Sequence, residues 1–180
     1  MTKAQLKKLL KTSLKQTALL VAPKGDLLTD GHWVLRKSVE MCELGIVDQE
    51  GHISPELAAA ALGSTVGTTR DPGVITSAPS AIYDLVADVN TQHTVQRMST
   101  LCINRGPIYA CKKTRTIIAF ERDLLSVLAD LGGPETMYGR GNTLYSPMED
   151  IEKAQWFLMP LRILDRTALL SDLLDIGAAI

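Results

Sequence analysis

Asp30, Gly31 and His32 stand side by side in LLTDGHWVLR, Leu27 to Arg36, with an acid and an imidazole two positions apart between apolar runs. An aspartate can orient a histidine for proton transfer, so acid–base catalysis is the first chemistry these residue types offer. Catalysis also needs a converging third group, and the sequence fixes no Ser, Cys or second carboxylate nearby. The structural alternative is a corner. Gly31 permits a bulge or positive φ, Asp30 caps the turn through its own backbone, and His32 and Trp33 pack at the strand edge. On that reading no residue of the chain is assigned as catalytic, and a small enzyme built on Asp30 and His32 is the competing function.

A second set of residues is suited to binding. Lys3, Lys7, Lys11 and Lys15 recur every four residues in TKAQLKKLLKTSLKQ, with Lys8 beside them. On a helix that spacing sets ammonium groups at intervals of about 6 Å, close enough to track phosphates by counterion release. Lys112, Lys113 and Arg115 form a second basic cluster on an expected strand, where such residues also guard an edge against pairing. Arg140, flanked by glycines in YGRGNTLYSP, reads as a strand turn, since no helix start follows it to help hold an anion.

Other chemistry is thinly supplied. Cys42, Cys102 and Cys111 are odd in number and widely spaced, so they read as reduced thiols. Together with His32, His52 and His93 they give none of the paired spacings of a zinc site, and no metal or cofactor is expected. The phosphate-loop, dinucleotide, zinc-protease and nucleophile-elbow motifs do not occur. At 4% aromatic content, the chain is poor in base-stacking surface.

The elements that would position these residues follow from periodicity. Thr2 caps an amphipathic helix whose Leu6, Leu9, Leu10 and Leu14 share one side. TALLVAP reads as a buried strand, KGD as a turn, and LLTDGHWVLRKSV as one strand with a glycine inside it. SPELAAAAL is a short helix with Ser54 as cap and Pro55 in its first turn. A Gly/Ser/Thr/Pro-rich loop with one short strand follows, then a helical turn or two at SAIYDLVADV. VQRMSTLCI and IYACKKTRTIIAF are strands joined by NRGP, and ERDLLSVLADLGG is a helix stopped at Gly132. TMYGRGNTLYSPM and KAQWFLMPLRI are the final strands, and LDRTALLSDLLDIGAAI is a terminal amphipathic helix.

With 180 residues, 46% of them hydrophobic, and a net charge of -1, the chain suits one domain with its own core and carries no global basic field. Charge is nonetheless segregated. Residues 1–40 hold eight Lys/Arg against three Asp/Glu, and residues 41–91 hold one against seven. No run approaches the roughly 18 apolar residues of a membrane span, so a soluble, cytoplasmic protein without a membrane partner is expected.

The order of elements, with Thr29-Asp30-Gly31-His32 and Leu158-Met159-Pro160-Leu161-Arg162-Ile163, resembles one domain of the bacterial DNA-polymerase sliding clamp, the beta subunit. These stretches are similar to the clamp's T-D-G-H and to the V-M-P-M-R-L of its last domain, and ERDLLSVLADL sits where its Y-L-x-x-L-x-A-L helix lies. The resemblance spans residues 3–40 and 95–163. It departs from the family in holding one domain, in carrying what looks like an insertion at 41–94, and in combining motifs that come from different clamp domains. It implies an α+β fold: residues 1–163 form one clamp-like domain, an antiparallel sheet backed by two helices, with residues 164–180 as a C-terminal helical extension. It further implies a non-enzymatic, replication-associated module, phage or mobile-element encoded, that self-associates and meets double-stranded DNA through the lysine helix. An interaction module that binds a host or replication protein without touching DNA is the alternative.

Overall fold

The first helix, α1 (Lys3–Gln16), forms as its sequence dictates: Thr2 and Gln5 make a reciprocal capping box, and Leu6, Leu9, Leu10, Ser13 and Leu14 are buried. Burying those four leucines contributes about 1.5–3 kcal/mol each, which fixes the helix's inner side. The computed structural model describes residues 1–89, 93–103, 106–111, 116–129, 133–141 and 143–161, and the statements below concern these. They make a mixed α+β protein with eleven strands and five α-helices among the described residues. Contacts gather in two units, Met1–Val86 with Ala154–Phe157, and Ala87–Lys153 with Leu158–Ile180.

In the first unit the chain runs from α1 into β1 (Leu19–Val21), β2 (Leu27–Thr29) and β3 (Trp33–Arg36), an antiparallel meander. The stretch 27–39, expected as one strand, is thus two strands with a corner at residues 30–32. Next come α2 (Val39–Glu43), α3 (Pro55–Leu62), β4 (Thr65–Val66), β5 (Val74–Ser77) and α4 (Ala81–Ala87). A small hairpin closes between them through the Val47–Ile53 bridge. Ser54 caps α3 by accepting from Leu57 N, and Gly63, at φ 72°, ends it in the left-handed conformation.

The expectation of an antiparallel sheet is corrected here. β5 pairs parallel with both β1 and β4, because the chain crosses back over α2 and α3 before laying β5 beside β1. β1 is buried at all three residues, as a central strand covered on both faces should be. The segment 41–94, expected as a loop-rich insertion, supplies two sheet strands and helical turns. At the far side of the meander, the backbone N–H of Arg36 donates to Gln155 O, and Trp156 and Phe157 are buried.

In the second unit β6 (Thr94–Ile103) pairs antiparallel with β7 (Gly106–Cys111), and β7 with β8 (Thr116–Ala119), so the stretch expected as one strand from Ile108 onward is two. Then follow α5 (Arg122–Leu128), β9 (Thr136–Gly139), β10 (Tyr145–Ser146) and β11 (Trp156–Leu158), the last entering this unit at Leu158. β9 pairs with β6 and β10, and Tyr145 lies opposite Leu158. Tyr109, Phe120 and Tyr145 meet edge to face in its core, at centroid distances of 5.2 and 5.5 Å. Helix α5 ends at Leu128, four residues before Gly132, and both Gly132 and the expected terminal helix 164–180 lie outside the described residues.

Candidate functional site: the lysine helix and its corner

Helix α1 divides its residues by solvent. Lys3, Lys7, Lys8, Lys11 and Lys15 are all exposed while the leucine side packs against β1, α2 and α3. The helix contains no Asp or Glu, and none of the five lysines joins an ion pair among the described residues. The five charges therefore project a single-sign field into solvent. Lys15 has a structural share as well, because it lies in the last turn, where a cation faces the negative end of the helix dipole. Lys112, Lys113 and Arg115 lie outside the described residues.

The Thr29–Trp33 corner is tied to this helix. Asp30 Oδ1 accepts from the backbone N–H groups of His32 at 2.8 Å and Trp33 at 3.3 Å, and Oδ2 accepts from the Ser13 hydroxyl at 2.7 Å. The Trp33 indole N–H in turn donates to Ser13 Oγ at 3.3 Å. Thr29 closes the corner by donating to Trp33 O and accepting from Gly31 N. Gly31 sits at φ 96°, as the corner reading requires of that position. Asp30 is 7% exposed at its side chain, whereas the His32 imidazole is 65% exposed with Nδ1 3.7 Å from Asp30. Ser13 bonds the carboxylate directly and does not bond His32, so the three are not arranged as a nucleophile, base and orienting acid. They work as a latch holding the lysine helix to the sheet.

Ser13 is the residue that sequence reasoning passed over. Its signal was present: a small polar side chain on the leucine side of the helix must find a buried partner.

Elsewhere, Asp48, Glu50 and His52 offer three ligand atoms within 4.8 Å of one another on the small hairpin. Asp48 accepts from the backbone N–H of His52, and that bond holds its carboxyl below the ordinary range. Glu50 and His52 are exposed, and three open ligands fall short of the four of a structural zinc site. Cys42 is an exposed free thiol. Arg140 belongs to the turn between β9 and β10, where its carbonyl accepts from Thr143 N at 3.1 Å. No helix among the described residues is long and apolar enough to cross a membrane. No protein-family model, curated protein or solved structure matches the chain.

Proposed function

We propose that the chain is a DNA-contacting, replication-associated module of sliding-clamp-like design, non-enzymatic and working as an oligomer, whose α1 lysines form a sequence-independent phosphate face. The single observation that supports this reading is the exposure of five lysines on a helix free of acidic residues. From Lys3 to Lys15 the ridge spans about 18 Å, which along one strand of a duplex faces about five phosphates. Lysine contacts to phosphate position a protein on DNA without reading sequence, and they permit sliding. The Asp30–Ser13 latch holds the helix to the sheet, so little backbone order must be gained on binding. The clamp-like design draws support from a helix leading into three successive antiparallel strands in two places, α1 into β1–β3 and α5 into β9–β11.

A protein-interaction module is the second reading. Solution mass by light scattering, with and without nicked circular DNA at low salt, separates the two. A ring-sized oligomer retained on the circle supports the clamp-like reading. A species indifferent to DNA overturns it.

A further inference from the structure

The first unit holds a cleft of about 580 Å³ beside the carboxyl ends of two parallel strands, reached from Val21 at the end of β1 and Ser77 at the end of β5. β1 has a parallel neighbour on one side and an antiparallel neighbour on the other. The chain leaves β1 into the Pro23–Gly25 turn and leaves β5 toward α4, and the cleft opens at these two strand ends. Sheets with parallel strands tend to take their ligands at such places, and the volume falls within the roughly 300–1,000 Å³ of small-molecule sites.

The lining chemistry is one-sided. Pro23, Ile53 and Pro55 give apolar wall, while Lys24 and His52 bring nitrogen donors and no Asp or Glu among the described residues lines the cleft. Glu50 and Asp48 stand 3.8 and 4.0 Å from His52 Nδ1, which leaves Nε2 as the nitrogen open to a ligand. Lys24 is anchored at both ends. Its backbone N–H donates to the Tyr83 hydroxyl at 3.0 Å, and its ammonium lies 5.0 Å from the Tyr83 ring centroid. Tyr83 is itself fixed by donating to Asp26 at 2.7 Å. The cleft floor is equally fixed, since Ile53 N donates to Gly25 O at 2.7 Å. The first turn of α3 offers its Pro55 ring and not its dipole, because Pro lacks an N–H and Glu56 already occupies that turn.

We propose that this cleft binds a small organic anion, a compound with one negatively charged head set against Lys24 and His52 and an apolar body laid along Pro23 and Ile53. The site is separate from the lysine face and does not depend on the DNA reading.

The test is an amide-resolved NMR titration of the full chain with three probes: phenyl phosphate, inorganic phosphate and phenol. Saturable shifts at Gly25, His52 and Ile53 are expected with phenyl phosphate, at an affinity at least about fivefold above that of either fragment, since head and body then bind together. Lys24→Met keeps the apolar stem and should weaken phenyl phosphate about fivefold. Shifts confined to α1, equal affinity for inorganic phosphate and phenyl phosphate, or an undiminished Lys24→Met response would each overturn the proposal.

Discussion

Removing the Asp30 carboxylate should loosen the whole lysine helix. Asp30→Ala deletes three hydrogen bonds, from Ser13 Oγ, His32 N and Trp33 N, and strands the Ser13 hydroxyl in a site where the residue is 5% exposed. The His32 N–H is exposed and can turn to water, so its loss costs little. The bond from Ser13 to an ionised acceptor contributes about 1.5–3 kcal/mol, and the partly buried Trp33 N–H adds about 1, for a total of about 3 kcal/mol. With an m-value of about 2 kcal/mol/M in urea, the unfolding midpoint should fall by about 1.5 M. Tryptophan fluorescence reads the right part of the molecule, because the chain's two tryptophans, Trp33 and Trp156, both belong to the first unit. Asp30→Asn keeps one acceptor oxygen and an amide that can donate to Ser13, so its midpoint should fall by only about 0.5 M. A double-mutant cycle of Ser13→Ala with Asp30→Ala should give a coupling of about 1–2 kcal/mol. A midpoint shift below about 0.3 M for Asp30→Ala, or additive single mutants, would mean that the corner and the helix are independent.

Three further outcomes follow from named contacts. Gly25→Ala should destabilise by about 3 kcal/mol in urea melts, because the position has φ +64° and a Cβ would lie 2.6 Å from His52 Cβ and 3.1 Å from Ile53 N. Gly31→Ala meets no atom of the described residues within 4 Å and should lose only the about 1 kcal/mol of its left-handed backbone, so the two glycines separate steric from conformational cost in the same assay. Burial pushes the Tyr109 hydroxyl up to about 12, with Glu135 adding to the shift and Arg97 opposing it. The unfolded chain releases that proton near pH 10, so stability should be level below pH 10 and fall between about pH 10 and 12, a slope that Tyr109→Phe removes in pH-dependent melts.

What the sequence made legible was local. Thr2 and the leucine spacing specify α1 without any help from the rest of the chain, and Ser54 with Pro55 does the same for α3. The five lysines were visible for the same reason, since exposure on one helix side follows from the period alone. Helix α2 stayed hidden because five residues are too few to display a period, and the break at Gly31 was ambiguous between a bulge and a full reversal. Distant pairings left no trace: β5 lies beside β1 only because a crossover brings it there, Ser13 meets Asp30 across 17 positions, and Lys24 meets Tyr83 across 59. Ionic and hydrogen-bonding partners of that kind have no period to announce them, so the latch and the cleft emerge only from the folded chain.

The central claim, that α1 is a phosphate face, is tested most directly by the salt dependence of binding to a duplex. Four ridge contacts from Lys3, Lys7, Lys11 and Lys15 give a slope of log affinity against log salt of about -3.6, a loss of about 150-fold between 50 and 200 mM. Lys7→Glu/Lys11→Glu/Lys15→Glu leaves Lys3 as the one ridge contact and sets three like charges against the phosphates, so binding should vanish even at low salt. A wild-type slope near -3.6 that disappears in the triple variant is the result this account predicts. Unchanged low-salt affinity in the triple variant, or a wild-type chain that binds no duplex at all, would contradict it.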